Sequence, residues 1–511
     1  MKVNVNSPVF GQNKSCCEHN LKAMEVVMKR FLPFVMVVLL PLALFAGLTF
    51  QKTFGGLDVD VAYSVLELPD GNFLIIGYTK SFNAWGTDGY VVKMNKYGGA
   101  IWEKQIDLGG YEILHSGAVL NNGDVLLVGA EKPNENAPYD LLIIKIDPQG
   151  TKVWQRLYGG AESDNAWDIA AMPDGNFVIS GTTKSYGAGD KDVWVLKINS
   201  DGDTLWTRTF GASGDDEGRS CAVDANGGIY VSAKSHLAFA PDMYMIKVNS
   251  DGSTGWLKSI STSGWTEGYG VCVVDTLAAF AGYGYWGSGI SHDFFLVGMT
   301  TDGDTVGTAH GGGGDDDYAF SACATSDGAV VMAGKTFSFG GWCKGMLMKV
   351  KDGNIKWMQA YGGDDEDVLW DVIETSDHFY LAVGYTESFG MGNSDMFVVK
   401  TDTAGQFSAI SENENLLPQN YSLQQNYPNP FNPSTVIPFT LPASKKVRVD
   451  VYNTLGQRVC TLGNRLYGAG KHQVTWNGTD SRGQLQPSGV YFYQLVVEGK
   501  VMATRKMVLM R

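Results

Sequence analysis

The sequence predicts an all-β protein, a seven-bladed β-propeller followed by a small β-sandwich, on three observations. An apolar strand that usually ends in Lys recurs seven times along residues 90–402. The segments between are short, rich in β-branched and aromatic residues, and bounded by Asp-Gly or Asn-Gly turns, with no sustained helical period. The charge then changes sign: residues 51–411 carry 23 Lys and Arg against 47 Asp and Glu, a net of −24, whereas residues 430–511 carry 11 against 3, a net of +8. A chain of 511 residues exceeds one ordinary core, and its 64 glycines, without collagen periodicity, fit many tight turns.

At the N-terminus, Lys29-Arg30 leads into FLPFVMVVLLPLALFAG. A short basic stretch, an apolar run and the small residues Ala46 and Gly47 follow the order of a secretory signal peptide, placed at 28–47. The run is marginal for a membrane span and no other stretch approaches its length, so no stable transmembrane anchor is expected. Residues 1–27 lack repeat character, and Met28 opens a complete signal by itself. They read as a non-native N-terminal extension.

The propeller is placed at 48–411. Its marker strands carry Lys93, Lys145, Lys197, Lys247, Gly298, Lys349 and Lys400, spaced by 52, 52, 50, 51, 51 and 51 residues. Residues 164–210 resolve one unit into four strands, and four strands in about 51 residues make a propeller blade. Trp102, Trp154, Trp206, Trp256 and Trp357 each stand four residues after a turn Gly, where a large flat side chain serves packing between blades. This G-x-x-x-W spacing resembles the tryptophan-docking repeats of quinoprotein-type propellers. An Asp five residues before the marker recurs at Asp88, Asp140, Asp192, Asp242, Asp293 and Asp395, suited to accepting turn N–H groups, with Lys344 in its place in the sixth copy. Cys221, Cys272 and Cys323 fall 51 residues apart and read as three equivalent buried positions. The segment Phe50–Phe54 repeats the outer-strand pattern ahead of the first blade. It is expected to close the ring by pairing with Met396–Thr401 in blade seven.

The acidic body excludes nucleic acid as a partner, because phosphates require a basic surface. The seven His are scattered without metal-ligand spacing, and no nucleophile elbow or phosphate loop is present, so no catalytic residues are assigned and the chain is not expected to be an enzyme. Clustered carboxylates on Gly-rich loops can ligate calcium, and Asp215, Asp216, Asp315, Asp316, Asp364 and Asp365 are the metal candidates; no other cofactor is implied. Thr-x-Ser-aromatic loops recur at 79–82, 183–186, 336–339 and 386–389, with Trp85 and Trp342 nearby. Propeller topology puts these loops and the acidic loops on one face, which makes Trp85, Tyr186, Phe339, Trp342 and Phe389 candidates for binding an extracellular glycan or protein. The same pattern also fits a repeated turn that buries its aromatic. Blade five departs most from the repeat, through GYGYWGSGISHD at 282–293.

A polar linker is expected at 412–430 and a sandwich at 431–511. Five of the 16 prolines fall within residues 428–442, and alternating strands with Gly turns follow. The pieces Asn426–Pro433, the Tyr452–Gly456 turn, Trp476, Gly489–Phe492 and the terminal Lys506-Met-Val-Leu resemble the type A C-terminal sorting domain of type IX secretion cargo across 421–511. The resemblance implies export to the outer cell surface or beyond after Sec-dependent transport, with the type IX machinery as partner. It implies an address and no activity. The expected role is a secreted or cell-surface binding or structural module; the alternative is an extracellular hydrolase of glycans or peptides.

Overall fold

The computed structural model describes residues 49–510 apart from 83–85, 236–241, 262–263, 286–290, 408–420, 427, 443–444 and 468–469. The expected signal peptide at 28–47, Trp85 and most of the expected linker lie outside the described residues. The chain divides into two compact units, 1–409 and 410–511.

The first unit is the propeller. Seven antiparallel sheets of four strands follow one another along the chain, and each blade begins with its innermost strand. The inner strands are Asp60–Glu67, Tyr111–Val119, Asp164–Ala171, Asp216–Val223, Thr266–Val274, Asp317–Ala324 and Asp367–Glu374. The second and third strands are almost wholly buried, as in Phe177–Thr183 and Asp192–Ile198, while outer strands such as Thr204–Phe210 face solvent. The core therefore lies between neighbouring blades, in clusters that each draw on two adjacent sheets. Ring closure occurs as expected: Phe50 pairs with Lys400, Lys52 with Val398 and Phe54 with Met396. The closing strand completes the seventh sheet and leaves no free edge there.

Three repeated devices explain most of the sequence pattern. The outer-strand indoles dock on the next blade: Trp206, Trp256 and Trp357 donate through Nε1 to the carbonyls of Ser250, Thr301 and Thr403 at 3.2, 3.1 and 3.1 Å. The ring lies on the turn glycine beside each carbonyl. A Cβ on Gly252 (φ +84°) would stand 3.0 Å from the Trp206 ring, so that glycine serves both the turn and the close approach. Four marker lysines, Lys93, Lys197, Lys349 and Lys400, are buried and tie the third strand to an Asp in the preceding turn, with Lys93–Asp70 and Lys197–Asp174 at 2.7 Å, Lys400–Asp377 at 2.8 Å and Lys349–Asp327 at 2.9 Å. The Thr-x-Ser loops are latches onto the first residue of the inner strand: Ser185 Oγ donates to Asp164 and Ser388 Oγ to Asp367, both at 2.7 Å, with Thr183 and Thr386 on the other carboxylate oxygen.

Two expectations need correction. Cys272 and Cys323 are equivalent, but Cys221 stands one position earlier in its strand. It follows the bulge at Gly218/Ser220 by one residue, whereas Cys272 and Cys323 follow theirs by two. A one-residue shift turns a side chain to the other sheet face, so Cys221 packs toward blade three and Cys272 toward blade six. The C-terminal sandwich also starts before residue 431. Ser422–Leu423 pairs with Phe439 and Thr440, and Asn426 is buried: its backbone N–H donates to Tyr493 and its amide to Thr435 at 2.8 and 2.9 Å. The end of the expected linker, from Ser422, is thus part of the sandwich. Phe431 packs on Trp476 between a three-stranded and a four-stranded sheet.

Candidate functional site

Every inner strand carries a β-bulge at the same place, leaving one unpaired residue between, for example, Ala62 and Ser64 or Leu369 and Asp371. A bulge re-aims its extra side chain. In the seven blades that residue is Tyr63, His115, Trp167, Arg219, Tyr269, Phe320 and Trp370. Each touches the next, and the series closes on itself. Tyr63 meets His115 with centroids 5.0 Å apart, and His115 stacks on Trp167 at 4.2 Å. The Arg219 guanidinium lies 4.2 Å from the Trp167 ring centre and 5.2 Å from that of Tyr269. Tyr269 meets Phe320 at 5.4 Å, Phe320 meets Trp370 at 4.3 Å, and Trp370 meets Tyr63 at 5.7 Å. Six aromatic rings and one cation thus surround the channel axis, in a cavity of about 320 Å³.

In six of the seven blades the residue after the bulge is polar, Ser64, Ser116, Asp168, Ser220, Ser321 and Asp371, with Gly270 in blade five. Asp168 accepts from Ser116 Oγ, Ser220 Oγ and the Cys221 N–H at 2.8, 2.9 and 2.9 Å, and Asp371 accepts from Ser321 Oγ at 2.8 Å. Burial pushes the Asp168 carboxyl up to about 6 against those hydrogen bonds, and raises Asp371 as well. Burial lowers His115 to about 4, so the imidazole is neutral near pH 7; its Nδ1 lies 2.8 Å from the Ala166 carbonyl oxygen. Beside Arg219, Glu217 is buried yet held below the usual carboxylate range: Arg219, Lys191 and Lys234 together outweigh its desolvation.

Tyr269, Phe320 and Trp370 also line a larger cleft, of about 810 Å³, over blades five and six. Its wall is aromatic, with Tyr283, Tyr318, Phe337 and Trp342, and its polar groups are Asp315, Asp316, Ser291 and Lys335. Glu267, almost wholly buried, gathers Trp265 Nε1, Tyr283 OH and Tyr269 OH at 2.7, 2.7 and 3.1 Å and fixes that wall. Asp316 accepts from the His292 N–H at 2.8 Å and from Tyr318 OH at 3.1 Å, while Lys335 lies over the Tyr318 and Phe337 rings. Burial opposes ionisation of Asp316, but the His292 contacts hold its carboxyl below the usual range. Trp342 is 70% exposed at the rim.

Residues 432–500 match the FlgD Ig-like domain family. No curated protein matches the chain. Among solved structures it is similar to PorZ, a surface component of the type-IX secretion system of Porphyromonas gingivalis, at 11% identity over 86% of this chain and 68% of that one, with a TM-score of 0.34. It is also similar to the Pan2 WD40 domain of Neurospora crassa (6% identity, 71% and 98% coverage, TM-score 0.43) and to a gluconolactonase of Xanthomonas campestris (10%, 69% and 99%, 0.36). Identities and scores at this level carry no argument about ligand or activity.

Of the residues singled out by sequence, the cleft brings together Trp342, Asp315 and Asp316. Tyr186 and Phe389 lie elsewhere, folded onto their own blades: Tyr186 OH donates to the Gly159 carbonyl at 2.8 Å with its ring 5.5 Å from Trp194, and the Phe389 ring is 6.1 Å from Phe397. Phe339 is partly exposed on the loop before Trp342 and does not line the cleft. The six metal candidates do not converge. Asp216 is fully buried and accepts the Ala212 N–H at 2.8 Å, Asp215 lies 3.5 Å from Lys191 Nζ, and Asp364 and Asp365 are exposed. Among the described residues, one group brings three potential ligand atoms within 4.8 Å of one another: Asp88, Asp107 and Glu112, at another seam. Burial pushes Glu112 up to about 7, with Asp88 and Asp107 adding repulsion. The ring itself was not expected. Its signal was nonetheless in the sequence, as a bulky residue recurring every 50–52 positions from Tyr63 to Trp370.

Proposed function

We propose that this protein is a secreted or cell-surface binding propeller, exported through the Sec and type IX routes, that holds an extracellular glycan in the cleft over blades five and six. The cleft carries the reading. Pockets that orient a ligand combine apolar faces with a few convergent polar groups, and here Tyr318, Phe337 and Trp342 offer faces beside the carboxylates of Asp315 and Asp316. Aromatic faces suit the C–H side of a sugar ring, and the carboxylates accept its hydroxyl hydrogens. The export part rests on the apolar run at 28–47 and on the sorting-domain motifs in 421–511; the FlgD Ig-like match agrees with a separate C-terminal module. A glycan array probed with the purified chain and with Trp342→Ala tests the binding part. Selective glycan signals that fall at least about tenfold in the variant are expected, the loss of about 1.4 kcal/mol or more. No signal above background, a signal indifferent to Trp342→Ala, or capture of protein ligands alone would refute it.

A further inference from the structure

The entrances of neighbouring blades face each other in a repeated arrangement of carboxylates. The Asp that opens the third strand of one blade lies against the first residue of the next inner strand: Asp395 against Asp60, Asp140 against Asp164, Asp192 against Asp216 and Asp293 against Asp317. A glycine stands between each pair, at Gly55, Gly159, Gly211 and Gly312. A Cβ on Gly55 would lie 2.5 Å from both carboxylates, so the glycine is required by lack of room. The inner-strand Asp of these seams accepts the backbone N–H four residues earlier, as with Gly160 on Asp164 at 2.9 Å and Gly313 on Asp317 at 2.7 Å, and in Asp164 and Asp317 a hydroxyl of the Thr-x-Ser latch, while Oδ1 of Asp60, Asp216 and Asp317 has no hydrogen-bond partner.

The seam between blades one and two keeps the facing acids, Asp88 and Glu112, but adds a third and loses the glycine between them. Asp107 occupies the position of the glycine, five residues before the inner-strand acid, and that acid is Glu112. Its cross-strand partner is Glu131, where the other blades place Thr183 or Thr386. A carboxylate facing Glu112 replaces a hydroxyl donor. Glu112 accepts the Gly110 N–H at 3.1 Å through Oε1, but it is fully buried and its Oε2 has no hydrogen-bond partner. Asp88 is also buried, with one oxygen held by Gln105. Carboxylate oxygens of Asp88, Asp107 and Glu112 lie within 4.8 Å of one another, and no Lys, Arg or His among the described residues forms an ion pair with any of the three. Three acids in one place, two of them buried, call for a counter-charge that the described chain does not provide.

We propose that Asp88, Asp107 and Glu112 bind a calcium ion at the seam of blades one and two. Calcium takes oxygen ligands at about 2.3–2.6 Å in flexible geometry, so two oxygens on one ion are at most about 5 Å apart. The observed spacing meets that limit. The orphaned Glu112 Oε2 supplies a ligand already stripped of water, and the exposed Asp107 provides the entry side. Magnesium fits less well, since it demands a near-ideal octahedron at about 2.0–2.1 Å and gives up its waters reluctantly. The site is independent of any glycan in the cleft.

The test is calorimetric titration of the full chain with calcium chloride after chelator treatment, alongside Asp107→Gly, Glu112→Gln and the double variant Asp364→Asn/Asp365→Asn. Asp107→Gly restores the residue that four other seams carry and relieves repulsion, so in chelator it should melt at or above the wild-type temperature. Wild type should bind calcium and melt higher with it. Asp107→Gly and Glu112→Gln should each weaken binding at least about tenfold, as expected when ligand charge is removed. The entry-loop double variant should bind like wild type. Absence of calcium binding, binding unchanged in Asp107→Gly, or binding lost only in the entry-loop variant would each overturn the proposal.

Discussion

Replacing Phe50 and Phe54 together by Ala should destabilise the propeller more than any exposed pair of outer-strand residues. Both rings belong to the closing strand and pack against the cluster that joins blades seven and one, beside Met396, Val398 and Phe73. Removing a fully buried Phe costs about 3–5 kcal/mol. These two are half-buried, so about 2 kcal/mol each is a fair expectation, or about 4 kcal/mol if they act independently. That is a large share of the roughly 5–15 kcal/mol that holds a typical domain. The loss also falls where ring closure depends on five residue pairs, Phe50–Lys400 through Phe54–Met396, so unfolding should begin by release of this strand. Urea denaturation followed by tryptophan fluorescence reads the stability, and hydrogen exchange reads whether Met396–Lys400 loses protection first. Leu205→Ala on the exposed outer strand of blade three is the control, expected within about 0.5 kcal/mol of wild type. A double variant within about 1 kcal/mol of wild type, or unaltered protection of Met396–Lys400, would refute the closure argument.

Two further outcomes follow from buried charge. Lys400→Met should cost about 2 kcal/mol, because it leaves Asp377 without the ammonium 2.8 Å away, and adding Asp377→Asn should recover most of the loss; thermal melts of the single and double variants check the coupling. Asp168 has its folded pKa raised to about 6 by burial, so the folded state holds the proton more tightly than the unfolded chain, and stability falls as pH rises from about 4 to 6 by up to about 2–3 kcal/mol. Asp168→Asn should flatten that part of the stability–pH profile, and an unchanged profile would show that the carboxylate is better solvated than its place under the ring implies.

The blade count, the strand boundaries and the closing strand were legible because each is written in the sequence as a period. Seven marker strands, the G-x-x-x-W indoles and the Phe50–Phe54 segment all recur at fixed distances, and the structure uses each for what its chemistry allows. Register was harder. Cys221 shares a 51-residue spacing with Cys272 yet faces the other way, because the length difference between blades four and five falls between them. Spacing finds a strand, but the bulge decides which face a side chain takes. The acidic loops pose a related problem: on a turn, an Asp can give an oxygen to a nearby N–H group, as Asp216 does with Ala212, and no sequence pattern distinguishes that from a free ligand. The start of the sandwich lies earlier than its sequence boundary. The linker was expected through residue 430, whereas Leu423 and Asn426 are already buried in the sandwich.

The bulge ring shows where such a repeat can vary without loss of the fold. At the docking position the repeat repeats a side chain, Trp in five blades, because each indole meets the same turn. At the bulge it repeats only a conformation. The extra residue leaves the ladder, so no strand partner constrains it, and it projects to the axis, where its neighbours are the equivalent residues of the adjoining blades. Six aromatics and one Arg satisfy that environment because rings pack edge to face and a guanidinium stacks on either neighbour. A second cation beside Arg219 would meet repulsion, and a small residue would open the axis to water. The ring's composition is therefore bounded, while its order is free. The three members that also line the cleft, Tyr269, Phe320 and Trp370, are consecutive blades' contributions. A ligand in the cleft thus touches side chains whose identity the repeat does not dictate, and selection for binding can act on them without disturbing the seams that hold the blades together.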